Sequence, residues 1–339
     1  MPRDQEILDK VISYWEMCAP ARKRGEIDGM WAKIVGRRHR GLTSALAGRD
    51  RGELLKLLSN YWDEEFSYGF AQGKEPHERF AADGEAAVAA RAARCVESIV
   101  AVAEAVGAIR RSTGHDAPGS VEELARKISE ETGVALGVDG ERTGGMYGFH
   151  IGGKIISIKD IQSYLFAYAA GKLRNDDAIC EIGAGAGHSA YYHHAFGAER
   201  VYLFDLPSVS VVAIWVLSRI EGPEKICVYG EEPNDDHVYF VFPHWSFGNP
   251  ATRFMKFRTL VNKNSFPEMS ENVASDYFRK SQVYGCDTVF STNQEHHRGQ
   301  SRVSDAARSA GWKRIDRSLN WIRPSWIDEI FVAPGARSL

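Results

Sequence analysis

The stretch Ala178-Ile-Cys-Glu-Ile-Gly-Ala-Gly-Ala-Gly-His188 decides how the rest of the chain is interpreted. A short strand-like run ends there in three alternating glycines and passes into a helix-like segment. Alanine at Gly183, Gly185 or Gly187 would place a Cβ where the backbone needs positive φ or lies against a ligand. The pattern therefore predicts a turn built for close approach. The helix that follows would direct its free N–H groups at that ligand.

The spacing of the glycines separates two cofactor classes. A dinucleotide fingerprint, G-x-G-x-x-G, that begins at Gly183 requires glycine at position 188, where this chain has His188. The pattern is instead E-x-G-x-G-x-G, from Glu181 to Gly187. Eighteen residues after Gly187, the run Val201-Tyr-Leu-Phe-Asp205 ends in a carboxylate. A carboxylate there suits a ribose, because it can accept hydrogen bonds from both hydroxyls.

This pattern resembles motif I of the class I S-adenosylmethionine-dependent methyltransferases. The resemblance implies S-adenosylmethionine as the cofactor, with its methionine part at the acid of the first strand and its ribose at the acid of the second. The expected cofactor contacts are Glu181, Gly183, Ala184, Gly185, Gly187, Asp205 and Leu206. His244, which follows the third strand, is expected near the adenosine. The alternative is a plain α/β turn followed by a solvated aspartate.

The composition limits the class of protein. The chain has 339 residues, 44% of them hydrophobic, and a formal net charge of −3, which argues against a nucleic-acid-binding protein. Its five cysteines are spread without a C-x-x-C pair, so we expect a reducing, cytoplasmic environment. No stretch approaches the ~20 apolar residues of a membrane span, and we expect an unprocessed soluble protein.

The order of predicted elements indicates an α/β fold. Seven strands are predicted, at 178–182, 201–205, 225–242, 257–262, 287–291, 312–316 and 329–332. The third is interpreted as a hairpin or a split strand, and helices separate the first six. Such a series predicts a doubly wound, mostly parallel, Rossmann-like sheet with ligands at the carboxyl ends of its strands. The methyltransferase resemblance implies that the last strand is reversed.

Two domains are predicted. Residues 1–140 would form a helical N-terminal domain, and residues 141–339 the domain that binds S-adenosylmethionine. The glycine-rich segment 133–153 is interpreted as a loop or loose hairpin that acts as the hinge. Because the predicted helices carry wide aromatic faces, we expect the first domain to cover the acceptor site or to form a homodimer interface.

A basic stretch lies between Arg22 and Arg51, with Arg22-Lys-Arg24 and Arg37-Arg-His-Arg40. The simpler interpretation is a solvated face around small helices. The alternative is a patch that attracts a phosphorylated substrate, such as a nucleotide sugar.

A second resemblance concerns the segment after the fourth strand, Asn262-Lys-Asn-Ser-Phe-Pro-Glu-Met269. With Leu203–Pro207 and Thr292–Glu295, it resembles the sugar O-methyltransferases of bacterial biosynthetic clusters, over residues 140–333. The resemblance implies methylation of a hydroxyl on a sugar or sugar-bearing natural product. Methyl transfer from a sulfonium is an in-line displacement, so the enzyme must hold the oxygen near the methyl carbon and remove its proton.

The loops after strands four and five would face the methyl group. We predict His296 or His297 as the base, since histidine has an unperturbed pKa of ~6.5, and Glu268 as the second candidate. Expected substrate contacts are Asn264, Ser265, Asn293 and Glu295. The alternative for each histidine is an exposed loop residue or a structural hydrogen bond. The alternative for Ser265 is a helix N-cap, with Glu268 completing a capping box.

Other chemistries are less favoured by the sequence. A metal at His296-His297 or at Asp235-Asp236-His237 is not expected, because adjacent residues rarely direct both side chains at one ion. N-methylation of a small-molecule amine is the second interpretation. An NAD-dependent oxidoreductase is disfavoured by His188, and a non-catalytic binding module by the complete set of expected cofactor residues.

Overall fold

The structure, a computed structural model, describes residues 2–22, 29–71, 78–79, 82–110, 119–139, 148–295 and 302–336. Among these residues, six helices of eight or more residues precede position 133: α1 (Pro2–Arg22), α2 (Gly29–Arg38), α3 (Arg40–Gly48), α4 (Arg51–Ser59), α5 (Glu85–Val106) and α6 (Val121–Thr132). The longest of them, α5, is rich in alanine, which is the strongest helix former. Polar caps begin two of the others, since the Asp50 side chain accepts from Glu53 N–H and Ser120 from Glu123 N–H.

A small antiparallel sheet follows the helices. It contains β1 (Val138–Asp139), β2 (Phe149–Ile151) and β3 (Lys154–Ile156), in the order β1-β3-β2. Gly152 and Gly153 turn between β2 and β3 with φ of 56° and 79°. The predicted loose hairpin is therefore found at its carboxyl-terminal end, whereas residues 140–147 lie outside the described residues.

The main sheet has eight strands: β4 (Ala178–Ile182), β5 (Arg200–Asp205), β6 (Ile226–Val228), β7 (Tyr239–Pro243), β8 (Thr259–Lys263), β9 (Thr288–Gln294), β10 (Lys313–Leu319) and β11 (Trp326–Val332). The helices around them are α7 (Ile158–Leu173), α8 (His188–Ala195), α9 (Pro207–Ile220), α10 (Glu271–Ser281) and α11 (Val303–Ser309). A capping box between Ser157 and Asp160 begins α7, and Pro207 occupies the first turn of α9.

The strand order is β10-β11-β9-β8-β4-β5-β7-β6. Strands β4 to β9 pair in parallel, and β11 pairs antiparallel with both β9 and β10. The doubly wound, mostly parallel sheet with a reversed last strand is therefore confirmed. The prediction of seven strands was wrong by one, because β6 and β7 pair in parallel as two separate strands and so are neither a hairpin nor one split strand.

The helical portion packs directly on the sheet domain. Helix α1 lies against α9, and the Lys10 ammonium donates to the Ile226 carbonyl at 2.7 Å. Arg219 of α9 donates to Asp4 of α1 at 2.7 Å. Buried residues of the helices share one hydrophobic core with buried residues of β4, β5 and α9. The hydrophobic core therefore continues across the domain boundary that was predicted near residue 140.

None of the helices among the described residues combines the length and the apolar character that crossing a bilayer demands.

Candidate active site

An open cavity lies where β4, β5 and β8 end at their carboxyl termini, with about 1200 Å³ of space including its mouth. This is the edge at which ligands bind in open α/β sheets. Ten of the predicted site residues line it: Glu181, Gly183, Ala184, Gly185, Asp205, Leu206, His244, Asn264, Ser265 and Glu268. The topology therefore brings together two motifs that are about 60 to 85 residues apart in the chain.

The glycine turn has the backbone that the pattern predicts. Gly183, Gly185 and Gly187 have φ of 77°, 59° and 83°, a region that side chains disfavour. A Cβ at Gly183 would overlap the Ser265 side chain, and one at Gly185 would lie 3.1 Å from the Cβ of Phe70. Gly187 is not among the cavity residues, because it is the N-cap of α8 and lies against Leu217 of α9.

Asp205 is the last residue of β5, and its side chain binds the glycine turn that follows the neighbouring strand β4. Its carboxylate accepts from the Gly185 N–H at 2.8 Å through one oxygen and from the Leu206 N–H at 2.7 Å through the other. Burial raises the pKa of Asp205 to about 7, against the two N–H donors, which lower it. Each oxygen keeps a lone pair, so the group can still accept hydrogen bonds from a ligand in the cavity.

Glu181 is buried in β4 and faces a cation. One of its oxygens, Oε2, has no hydrogen-bond partner among the described residues. Burial raises the pKa of Glu181 and lowers that of Lys263, while the two groups attract each other. Lys263 ends β8, and its ammonium donates to the Ser163 hydroxyl at 2.8 Å. An unpaired buried carboxylate oxygen is costly, which marks it as a place for a ligand donor.

His188, the residue that departs from the dinucleotide pattern, is structural. Its Nδ1 lies 2.9 Å from the Asp160 carboxylate and its Nε2 lies 3.0 Å from the Tyr61 hydroxyl. Asp160 also caps α7, and Tyr61 belongs to the helical portion. The first residue of α8 therefore connects three parts of the chain, and both of its ring nitrogens have partners.

The segment after β8 does not form the capping box that was the alternative for Ser265. The Ser265 hydroxyl donates to the Ile182 carbonyl at 3.2 Å and lies in hydrogen-bond contact with the Asn262 amide. It makes no side-chain cap to the short 3-10 turn at Phe266–Glu268. Asn264, beside it, has φ of 66°. The capping-box alternative is not realised, because the Ser265 hydroxyl is hydrogen-bonded to the end of β4, which aligns this segment with the glycine turn.

Glu268 is held by the helical portion. The Trp31 indole N–H of α2 donates to Glu268 Oε2 at 2.6 Å. Burial raises the pKa of Glu268, while the Trp31 hydrogen bond and the charge of Lys159 lower it. Both Trp31 and Lys159 line the same cavity. A carboxylate with a raised pKa beside the cavity has the properties of a general base at neutral pH.

Two other predicted residues, Asn293 and Glu295, lie away from the cavity. Asn293 is buried in β9, where its amide donates to Asn262 at 2.8 Å and to Ser291 at 2.7 Å. Glu295 accepts from Arg317 at 2.6 Å. Neither residue lines the cavity, so their substrate contacts stay predictions. His296 and His297 lie outside the described residues.

His244 follows β7 and lines the cavity, and its contact with the adenosine stays a prediction. Burial lowers its pKa to about 4, and the backbone of Asp205 opposes this only in part. Neither ring nitrogen makes a hydrogen bond of normal geometry to the described residues. A neutral imidazole here can donate or accept towards a ligand.

Other residues that the sequence did not assign to the cavity also line it, and five of them bear on its chemistry: Trp31, Phe70, Lys159, Lys263 and Arg323. Only Lys263 had a usable signal, since it stands at the end of a predicted strand beside the segment already singled out. The others come from a helix, a loop, the second residue of α7 and the turn before β11, and only the tertiary structure brings them together.

The basic stretch of the helical portion is partly buried. Arg38 donates to Glu65 at 2.8 Å, and His39 is fully buried with its Nδ1 2.7 Å from the Ser208 hydroxyl of α9. Burial lowers the pKa of His39 to about 4, so the ring is neutral at physiological pH. Along the described parts of the chain, no group of three His, Cys, Asp or Glu side chains is placed to hold a metal ion.

No family model matches the sequence, and no curated protein matches it. Similar solved structures exist. The ribosomal protein L11 methylase from Lactobacillus delbrueckii subsp. bulgaricus has 13% identity over 55% of this chain and 89% of that chain, with a TM-score of 0.36. The magnesium protoporphyrin IX methyltransferase from Synechocystis PCC 6803, with bound SAM, has 13% identity over 65% and 87% of the chains, with a TM-score of 0.36.

A third similar structure is the glycopeptide N-methyltransferase MtfA, with 16% identity over 51% of this chain and 95% of that chain and a TM-score of 0.37. At such identities and TM-scores, these similarities determine neither a substrate nor a reaction for this chain.

Proposed function

We propose that this chain is an S-adenosylmethionine-dependent methyltransferase that methylates a hydroxyl of a sugar or a sugar-bearing natural product. The observation that carries the proposal is the pairing of two acids across one glycine turn. Glu181, with its unpartnered oxygen, and Asp205 both line the cavity, and the positive-φ glycines lie between them.

The described residues fit this cofactor. Glu181 would accept from the ammonium of its methionine part, and Asp205 would accept from its ribose hydroxyls with the lone pairs left by Gly185 and Leu206. His244 would lie near the adenine. When bound, the cofactor supplies an electrophilic methyl group on a sulfonium. The role of the chain is to hold the acceptor oxygen in line and to take its proton.

Proton removal is assigned to His296 or His297, with Glu268 as the assisting or orienting carboxylate. Glu268 supports this assignment by its position, because it lines the cavity and is held by the Trp31 indole. Asn264 and Ser265 line the same wall and would contact the acceptor. Asn293 and Glu295 would act only through neighbouring residues, given their partners Asn262 and Arg317.

The cofactor assignment is tested by calorimetry with S-adenosylmethionine, S-adenosylhomocysteine and NAD. We expect the first two to bind and NAD not to bind. Asp205→Ala should weaken binding by about 1.5–3 kcal/mol, the range for hydrogen bonds to a charged group. Asp287→Ala is the matched control, because Asp287 pairs with Arg258 at the opposite edge of the sheet. Unchanged affinity in Asp205→Ala, with the fold intact, would remove the assignment.

The base is tested with single variants and single-turnover rates. His296→Ala or His297→Ala should keep cofactor affinity and lose about 10²–10⁴-fold in rate. Glu268→Gln should have a smaller effect if Glu268 only assists. If both histidine variants keep nearly full activity while Glu268→Gln loses it, Glu268 is the base. Methylation of an amine but not of a matched hydroxyl would favour the N-methyltransferase interpretation.

A further inference from the structure

Three cationic side chains belong to the lining of the cavity. Lys159 of α7, Lys263 at the end of β8 and Arg323 before β11 all line it. A second cavity, between α7 and the turn that joins β10 to β11, shares Lys263, Arg323 and Gln162 with the first. Lys263 and Arg323 therefore lie between the two cavities, whereas Lys159 lines the first.

These cations are only partly balanced by acids, since the charge of Glu181 acts on Lys263 and that of Glu268 acts on Lys159. Within the ranges that the structure describes, no carboxylate oxygen lies within ion-pair distance of Lys159, Lys263 or Arg323. Lys263 donates to the Ser163 hydroxyl, and the Arg323 guanidinium lies over the Trp326 ring at 3.4 Å from its centroid. Burial lowers the pKa of Lys159 to about 8 and that of Arg323 to about 10. Burying three like charges beside too few counter-ions is costly, so the arrangement indicates an anionic ligand.

The carboxylates near these three cations already have hydrogen-bond partners or are assigned to the cofactor. Asp160 caps α7 and holds His188. Glu268 is bonded to Trp31, and Asp328 in the second cavity accepts from Thr292 and Asn320. Glu181 remains, with Lys263 opposite it. None of these acids neutralises Arg323.

The proposed cofactor requires only part of the cluster. The methionine end is a zwitterion, and Glu181 with Lys263 offers one charge of each sign to it. The sulfonium brings a further positive charge into the cavity. Arg323 is then left without an anion, Lys159 has only the charge of Glu268 to balance it, and a neutral acceptor would supply none.

We infer that Lys159 and Arg323 bind an oxyanion, a carboxylate or a phosphate, carried by the methyl acceptor. The inference rests on the proposed methyltransferase function. An anion at this position would orient the acceptor in line with the methyl group and would offset the positive charge of the sulfonium. Arg323 presents a planar fork to an oxyanion, and Trp326 beneath it restricts its orientation.

The test uses the full chain and measures cofactor and anion binding separately. Affinity for S-adenosylhomocysteine is measured first, by calorimetry. Inorganic phosphate and acetate are then titrated into the protein saturated with S-adenosylhomocysteine, with ionic strength held constant by chloride. We expect at least one of the two anions to bind saturably, and the better one identifies the class of oxyanion.

Charge-removing variants then locate the anion. Arg323→Met and Lys159→Met should each weaken anion binding by about 10- to 100-fold and leave S-adenosylhomocysteine affinity within about twofold. Lys159→Arg, which keeps the charge, should retain most of the binding. Lys256→Met is the matched control, because Lys256 is exposed before β8 at the opposite edge of the sheet, and its binding should equal that of the parent.

Several outcomes overturn the inference. One is that neither anion binds to the parent protein saturated with S-adenosylhomocysteine. Another is that Arg323→Met binds the anion as tightly as the parent does. A third is that Lys256→Met loses as much anion affinity as Arg323→Met does. If Arg323→Met loses affinity for S-adenosylhomocysteine instead, the cations serve the carboxylate of the cofactor and the inference is wrong. Failure of the parent to bind S-adenosylhomocysteine would be failure of the proposed function, which the first measurement identifies by itself.

Discussion

The two walls of the cavity differ in how they are built. One wall is the glycine turn with Asp205, a local backbone conformation at the ends of two neighbouring strands. The opposite wall is assembled from distant parts, with Trp31 of α2 bonded to Glu268 and Phe70 beside Gly185. The first wall follows from local sequence pattern. The second depends on how the helical portion packs, so mutations in the two walls should act in different ways.

The largest effect is expected when the helical portion is separated from the sheet domain. Residues 1–135 alone should not unfold cooperatively, because Ile7, Leu8 and Val11 are buried in a core that includes α9 and the sheet. Thermal unfolding followed by circular dichroism, with size-exclusion chromatography, measures this against the full chain. A soluble fragment with a cooperative transition would show that the helical wall is an autonomous domain.

The next effect concerns the glycine wall. Gly183→Ala would keep a φ of 77° that costs a side chain about 1–2 kcal/mol, and its Cβ would overlap the Ser265 side chain, adding about 1–3 kcal/mol. We expect loss of stability in urea unfolding and loss of affinity for S-adenosylhomocysteine in calorimetry.

Gly171→Ala is the matched control for that substitution. Gly171 lies within α7, and an added Cβ would have its nearest neighbour, the Cβ of Phe196, at 3.8 Å. Alanine there should be neutral or stabilising, because it favours the helix. Equal behaviour of the two variants would contradict the close approach at Gly183.

The contact between the helical portion and the sheet domain should make the free energy of unfolding depend on pH through His39. Its folded-state pKa of about 4 lies below the unfolded value of 6.5, so the unfolded state gains a proton first as the pH falls. The contribution of His39 is therefore fully present above pH 6.5 and is lost between pH 6.5 and 4, by roughly 3 kcal/mol.

Urea unfolding of the parent and of His39→Asn between pH 7 and pH 4 measures that loss. Asparagine can keep a hydrogen bond to Ser208 and does not titrate, so the variant should have the shallower dependence on pH. If the free energy of unfolding changed with pH equally in the two proteins, the burial of His39 would not be the cause of the pH dependence.

The smallest effect is expected for the helical wall itself. Trp31→Phe keeps a ring but removes the N–H donor to Glu268, which should cost about 1–2 kcal/mol of stability and raise the pKa of Glu268 further. Trp321→Phe is the control, since Trp321 is 64% exposed. A change of stability as small in Trp31→Phe as in the control would mean that this hydrogen bond contributes nothing to the cavity.

Much of the sheet domain was predictable because its signals are local. The apolar runs, Pro207 at the start of α9 and the glycines after β4 each constrain a few consecutive residues. The count of strands failed at β6 and β7, because periodicity does not reveal whether two short apolar runs pair in parallel with each other. The capping box considered as the alternative at Ser265 is absent for a related reason. The Ser265 hydroxyl is hydrogen-bonded to Ile182 of β4, 83 residues away in the chain.

By itself, the sequence determined the α/β order, the positive-φ turn and the two acids that end neighbouring strands. Backbone sterics and strand pairing act over short separations, so a pattern of residues is enough to indicate them. Only the tertiary structure decided that His188 is bonded to Asp160 and Tyr61, and that Trp31, Lys159 and Arg323 reach the same cavity as Glu181. Those contacts depend on burial and on charges brought together from distant segments, which no local pattern encodes.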